Sequence, residues 1–423
     1  SQHFAWTGHC MLKWIKRLAL LLLILVVAAL TTGWWLMRGS LPALDGELAL
    51  AGLSAPVTIQ RDALGVVTID AANETDMARA LGYVHAQERY FEMDLMRRTS
   101  AGELAELFGP IAVDLDKEHR LHRMRARVME NLDAFTGDKA AQLQAYTDGV
   151  NAGLDALSVR PWPYLLLRQK PRRWELADSA LAGYAMYFDL QDSQNTRELA
   201  LWRMKSKMPA ALYELLTHEG TEWDAPLFGE ARGNAVLPTA LQVDLRKLAM
   251  PVNDNHSRLA DKGTPGSNNW AVGGALTADG RAIVADDMHL GLRAPNIWFR
   301  ARLRYRDARA VGGKVDVSGF TLPGMPVVVV GSNGHVAWGF TNSYGDWADW
   351  AELPLCAGES ATKGPSASPA CVTTTDFSEV IKVAGAQDVV FKVRETAWVP
   401  VLHEPRQGRA LALRWAPHLP GSM

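Results

Sequence analysis

The sequence predicts an α+β protein, helical in its first half and built from strands in its second. Three observations carry this reading. Apolar residues recur at helical spacing through 74–108, where Ala78, Leu81, Val84 and Ala86 set the period. Strict alternation marks "WFRARLRY" (298–305), with Phe299, Ala301, Leu303 and Tyr305 on one side and Trp298, Arg300, Arg302 and Arg304 on the other. Between them, the stretch 228–266 mixes Gly, Pro, Asn and charged residues with weak periodicity and reads as a linker. At 423 residues, 48% hydrophobic and 21% charged, the chain can bury a sizeable core as one large domain or two ordinary ones.

Taken in order, residues 1–10 precede a start at Met11 and are set aside as a leader. Lys13, Lys16 and Arg17 then flank "LALLLLILVVAALTTGWWL" (18–36), an apolar run long enough to cross a bilayer. The basic flank predicts a cytoplasmic N-terminus and export of the chain beyond the apolar run, with Trp34 and Trp35 at the far interface. A cleaved signal peptide shares this pattern. The length of the run and the lack of a clear small-x-small site favour an uncleaved anchor over 11–38. The remainder is then held in the periplasm at the inner membrane, or secreted if the anchor is removed.

"RGSLPALDGEL" (38–48) reads as a linker, and "APVTIQRDALGVVTIDA" (55–71) as two short strands around a turn at Asp62–Gly65. A helix is expected from Glu74 until "FGP" ends the run at Phe108. Further helices are expected near 138–157 and 175–190 and from Thr196 onward, within a helical region spanning 41–229. A linker or spacer occupies 230–266. In the final region, 267–423, "RAIVADD", "MPVVVVGSNG" and "HVAWGFTN" read as strands.

Composition excludes several functions. A formal net charge of −2 offers no electrostatic basis for nucleic-acid binding. Cys356 and Cys371 bracket a loop of small residues and suit a local disulfide in an oxidising compartment. "HRLH" (119–122) lacks further ligands for zinc. No G-x-S-x-G elbow occurs, and the one S-x-x-K, Ser360 to Lys363, lies in the loop between the cysteines.

One serine stands apart. "TPGSNNWAVGG" (264–274) places Ser267 between a Pro-Gly turn and the start of a strand pattern. A serine hydroxyl is a weak nucleophile and needs an adjacent base. Cutting Gly266–Ser267 would create one, because an α-amine has a pKa near 8 and is partly neutral at pH 7. Gly266 has no Cβ to shield its carbonyl, and Pro265 can hold the turn. A simple Pro-Gly-Ser turn accounts for the same residues.

"SNNWAVGG" resembles the start of the catalytic chain of the penicillin amidase (acylase) family of N-terminal nucleophile hydrolases. "RDALGVVTIDA", "ALGYVHAQERYFEMDLMRRTSAGELAELFG", "WDAPLFG" and "DDMHLGLRAPNIWFRARL" are similar to other parts of the same family, so the likeness runs from about 55 to 350. It implies a four-layer αββα sandwich with a mainly helical N-terminal segment wrapped around it. It also implies a precursor that cuts itself at Gly266–Ser267 into an α and a β chain.

Residue by residue, the resemblance makes Ser267 the nucleophile and its freed amine the base. His289 in "DDMHL" matches the histidine that acylases of the cephalosporin and acyl-homoserine-lactone type place beside the serine. Asn342 follows the W-x-x-T stretch 338–341 and would offer its backbone N–H to an oxyanion. Asn269 would orient the amine. Glu198, Asp346, the Ala348 carbonyl and Asp349 match a calcium-binding set, an all-oxygen group suited to Ca²⁺, and no organic cofactor is implied. The acyl pocket would draw on "AMYFDLQ" and on residues just after His289. Tyr187, Phe188 and Leu290 are lining candidates there, though they serve equally well as core.

The resemblance places a second oxyanion donor, an asparagine side chain, beyond Met423, and so implies that 267–423 is only the first part of the catalytic chain. The expected activity is hydrolysis of linear amides in N-acylated small molecules such as penicillin-type antibiotics or acyl-homoserine lactones, through an acyl-enzyme. Two other readings stay open: a peptide-directed hydrolase of the same mechanism, and a membrane-tethered relative that binds without catalysing. Intact mass discriminates, since only the hydrolases cleave themselves.

Overall fold

The computed structural model describes residues 3–205, 207–247, 266–342, 345–356, 371–397, 399–406 and 409–419. The chain opens with one continuous helix, α1 (His3–Gly39), whose span Leu12–Gly39 has no buried residue in its most apolar window. A hairpin follows, β1 (Thr58–Arg61) and β2 (Val67–Asp70). Asp62 Oδ1 accepts from the N–H groups of Leu64 and Val66, and Gly65 takes the positive φ of 77° that this turn requires.

The helical region comprises α2 (Glu74–Ala101), α3 (Ala105–Phe108), α4 (Val113–Arg120), α5 (Met124–Glu130), α6 (Leu132–Thr136), α7 (Ala140–Asp155), α8 (Trp162–Leu166), α9 (Leu176–Leu190), α10 (Thr196–Lys205) and α11 (Ala210–Thr217). Helix α2 starts where Asn73 accepts from Asp76 N–H, and it stops at Gly102 in the left-handed conformation. The single helix expected to Phe108 is therefore broken at Gly102 and resumes as α3. Helices α4, α5, α6 and α8 are too short to produce a clear 3.6-residue period.

Helices α2 and α7 form the centre of the helical layer, and glycines set their separation. A Cβ on Gly149 would lie 2.0 Å from the Arg79 carbonyl oxygen, and one on Gly82 would lie 2.3 Å from that of Tyr146. Only hydrogen fits at these crossings, so backbone packs on backbone. Behind them Arg97 is fully buried yet satisfied: it pairs with Asp94 at 2.7 Å and with Asp178, and donates to the carbonyls of Arg172 and Arg173. Asp178 also accepts from the Glu175 N–H, capping α9.

Strands β3 (Ser267–Val272), β4 (Ile283–Met288), β5 (Phe299–Arg306), β6 (Lys314–Thr321), β7 (Val328–Ser332) and β8 (Ala337–Trp338) follow the linker. The sheet order is β1-β2-β5-β6-β7-β8, with β2 and β5 parallel and Val67 opposite Ala301. The first half of the chain thus supplies two strands to the sheet of the second. Phe299, Ala301 and Leu303 are buried against α2 and α7, while Arg302 and Arg304 pair with Asp316 and Asp70 on the exposed face. That is the alternation read from the sequence.

A five-stranded antiparallel sheet comprises β9 (Ala348–Pro354), β10 (Thr375–Ile381), β11 (Val389–Glu395), β12 (Pro400–Arg406) and β13 (Arg409–Trp415), in the order β10-β11-β12-β13-β9. Ile381 packs with Leu104 and Ala105 of the helical region. Cys356 and Cys371 are joined in a disulfide. The loop between them, with Ser360 and Lys363, lies outside the described residues, as does 248–265 of the expected spacer.

The start of "RGSLPALDGEL" is held to the body, with Ser40 buried and the Val159 N–H donating to the Gly39 carbonyl at 2.9 Å, while residues 43–48 run exposed and without helix or strand, as a linker does. One expectation needs correction. "HVAWGFTN" forms only the two-residue strand β8, because the next residues turn to meet β4.

Candidate active site

Strands β3 and β4 form a separate antiparallel ribbon that places Ser267 opposite Met288 and Asn269 opposite Asp286. The register matters because His289 directly follows β4. The ribbon brings that imidazole back beside residue 266: a Cβ on Gly266 would stand 3.1 Å from His289 Nδ1. His289 Nε2 lies 3.1 Å from Asp287 Oδ2, which orients the ring from its far side. Gly266, Ser267 and His289 are therefore brought into one neighbourhood by local pairing of two strands close in the chain.

The segment after β8 closes over the same ribbon. Asn269 Nδ2 donates to the Gly339 carbonyl at 3.2 Å, and Phe340 N–H donates to Asp286 Oδ2 at 3.2 Å. A Cβ on Gly339 would meet the Asp286 side chain at 3.0 Å, so glycine permits this approach. Asn342, two residues beyond Phe340, follows as a partly buried residue. Asn269 thus engages the W-x-x-T segment.

Asp286 is the residue that sequence reasoning missed. Its Oδ1 is buried with no hydrogen-bond partner among the described residues, while Oδ2 holds Phe340. The doubled "DD" before Met288 was its only signal, and alternation in β4 would have pointed one of the two inward.

A second cluster lies at the junction of α10 and β9. Oxygen atoms of Glu198, Asp346 and Asp349 lie within 4.8 Å of one another. Asn195 Nδ2 donates to Glu198 Oε2 at 2.7 Å and to the Ala348 carbonyl at 3.0 Å, and Trp350 Nε1 donates to the Asn195 carbonyl at 3.0 Å. Burial raises the Glu198 pKa, and the negative charges of Asp346 and Asp349 raise it further against the Asn195 hydrogen bond. Three converging carboxylates with a main-chain carbonyl beside them form an electron-rich, all-oxygen set, the donor chemistry of a hard divalent cation.

A cleft of about 890 Å³ opens between α2, α9 and the loop after His289. Tyr90, Phe91, Met186, Phe188 and Pro295 line it, with Arg293 at its side. Its size falls within the usual range for small-molecule sites. Phe188 is a wall residue, whereas Leu290 packs on the core.

The family profile described as penicillin amidase matches residues 56–423. The penicillin acylase 2 proenzyme of Pseudomonas sp. (strain SE83) is 32% identical over 385 residues, covering 89% of this chain and 48% of that protein. The acyl-homoserine lactone acylase QuiP of Pseudomonas aeruginosa is 30% identical, covering 73% of this chain and 36% of that protein. Penicillin G acylase of Escherichia coli is 28% identical, covering 73% and 41%. A solved thermostable penicillin G acylase from Alcaligenes faecalis covers 42% of this chain and 98% of its own, at 23% identity and a TM-score of 0.35.

The chain is a mixed helix-and-sheet protein with a helical N-terminal segment, the class in which N-terminal nucleophile hydrolases fall. It belongs to the penicillin amidase family. It spans less than half the length of the curated relatives named above.

Proposed function

We propose that the chain carries the nucleophile of a self-cleaving amidohydrolase acting on linear amides of N-acylated small molecules. Ser267 Oγ attacks the Gly266 carbonyl, the acyl group moves from nitrogen to oxygen, and water hydrolyses the ester. This frees the Gly266 carboxylate and the Ser267 α-amine. In the matured protein that amine accepts the Oγ proton as Ser267 attacks the substrate amide. Asn342 N–H donates to the oxyanion, a preorganised contact that forms before charge develops. Asn269 holds the 338–342 segment, and His289 polarises the neighbourhood of the scissile bond. Water then releases the acid from the acyl-enzyme.

The observation that carries this reading is the packing of the His289 ring against Gly266, one residue from the serine that begins β3. Glu198, Asp346, Asp349 and the Ala348 carbonyl would hold calcium. That ion would supply positive charge to the cluster and so bind the α and β chains of one precursor together after cleavage. Helix α1 would anchor the protein in the inner membrane with the body in the periplasm; its length and apolar character support this.

Intact-mass measurement of the full chain tests the proposal. Two fragments, the second beginning at Ser267, are expected, while Ser267→Ala should give one uncut chain. A wild-type chain that stays whole and hydrolyses none of a panel of chromogenic acyl amides would overturn it.

A further inference from the structure

We propose that the surface around the exit of α1 is seated on the bilayer, so that the mouth of the cleft opens at the level of the lipid headgroups. This rests on the reading of α1 as a membrane anchor and goes beyond it: an anchor could equally hold its body off the membrane on a flexible stalk. Three observations exclude a stalk. Helix α1 is continuous to Gly39, Ser40 is already buried in the body, and the Gly39 carbonyl accepts from Val159 N–H at 2.9 Å. The helix runs directly into the body.

The position of that junction follows from helix geometry. Arg17 marks the inner end of the apolar run. From there to Gly39 is about 33 Å at about 1.5 Å per residue, close to a hydrocarbon core of about 30 Å. Gly39 therefore emerges at the outer interface, beside Trp34 and Trp35, and the part of the body around Gly39 faces headgroups.

That part of the surface has interfacial composition. Leu41 and Pro42 line the cleft together with Pro161, Trp162 and Pro163. Trp162 and Leu166, one turn apart on the same face of α8, are 45% and 73% exposed. Such an apolar pair suits the boundary between headgroups and acyl chains, where tryptophan is enriched. Arg168 and Lys170 follow directly, both exposed and outside every ion pair among the described residues. Their charge complements anionic headgroups.

The consequence is chemical. The cleft that these residues help to line has a mainly apolar wall and takes in Arg293, Ala294, Pro295 and Ile297 from the loop that follows His289. An amphiphilic N-acyl amide dissolved in the outer leaflet can pass its hydrocarbon chain along that wall without crossing water. The occupant of the exposed face is thus the bilayer surface, and the ligand it delivers is an acyl amphiphile.

The test uses the full chain in vesicles of phosphatidylcholine and phosphatidylglycerol, with Cys10→Ser removing the one cysteine outside the disulfide. An environment-sensitive fluorophore is attached at Leu23→Cys in mid-helix, at Trp162→Cys, at Leu166→Cys, and at Leu276→Cys in the turn of the β3–β4 ribbon. Blue-shifted emission, quenched by lipids carrying a quencher near the headgroup, is expected at 162 and 166 but not at 276. If the probe at 23 is in lipid while 162 and 166 match 276, the seating is wrong and the anchor stands. If the probe at 23 reads water, the anchor reading fails and the seating with it. A shift at 162 and 166 that vanishes on dilution of protein in lipid would assign the face to a second copy and overturn the proposal.

Discussion

Gly266 and His289 stand so close that a methyl group on the former would lie 3.1 Å from Nδ1 of the latter. This contact is tight but relievable, because the neighbour is a half-exposed ring rather than backbone. Gly266→Ala should therefore still be cleaved, more slowly, as the ring shifts. Gly266→Val, β-branched beside the carbonyl under attack, should remain largely uncut. Time courses of intact mass after purification distinguish these outcomes, and equal rates for both variants would disconnect His289 from the cleavage point.

Asp286 holds the 338–342 segment through Phe340 N–H, so its removal should displace the Asn342 donor without touching substrate. In Asp286→Ala, kcat on a chromogenic acyl amide should fall about 10–100-fold with KM nearly unchanged, the scale of a small misplacement of catalytic groups. Asp286→Asn keeps an acceptor and should recover part of the loss. A fall in thermal stability with kcat intact would make Asp286 structural only.

The Glu198, Asp346 and Asp349 set predicts a divalent cation whose affinity depends on pH. Its ligands must be ionised to bind, and Glu198 holds its proton to higher pH than a free carboxyl does. Calcium affinity, measured by calorimetry, should weaken as pH falls through the raised Glu198 pKa. Chelation should lower Tm, because a ligand at about 100 times its Kd contributes about 2.7 kcal/mol. Glu198→Gln should abolish both effects, whereas Tm insensitive to calcium and chelator would dismiss the ion.

Acid should destabilise the fold through buried imidazoles. His85 bonds Tyr146 and Thr321, and His122 Nδ1 lies 2.9 Å from His418 Nε2. Burial, first of all, lowers the pKa of His85 and of His122 to about 3. Their folded values lie below the unfolded value near 6.5, so between these limits only the unfolded chain takes up protons. Stability is therefore fully present above about pH 6.5 and declines as pH falls toward about 3, by up to about 1.4 kcal/mol per unit for each histidine. Urea unfolding from pH 7 to 4 reads the slope, and His122→Gln should flatten it. An unchanged slope would show that these rings are not protected.

Several local features were legible in the residues themselves. The turn at Asp62–Gly65 and the alternation of β5 are consequences of φ/ψ preference and side-chain period, which neighbours in sequence express; the end of α2 at Gly102 was not read, because the apolar spacing runs on to Phe108. The ribbon brings His289 beside Gly266, next to Ser267, and that neighbourhood was expected from the resemblance rather than from periodicity. The Asp286 contact could not be read from the sequence, because its partner Phe340 arrives from 54 positions away.

By itself the sequence determined the helical first half and the stranded second half, the apolar length of α1 and the family, and it singled out Ser267 after Gly266 as the candidate nucleophile. Tertiary structure alone decided that β2 runs parallel to β5, that His122 meets His418, and that Ser40 is buried at the end of α1. The physical reason is the same in each case. Periodicity encodes which face of an element is apolar, whereas the choice of which distant face covers it depends on glycine-scale fit and on pairing of buried polar groups, which only the packed chain presents.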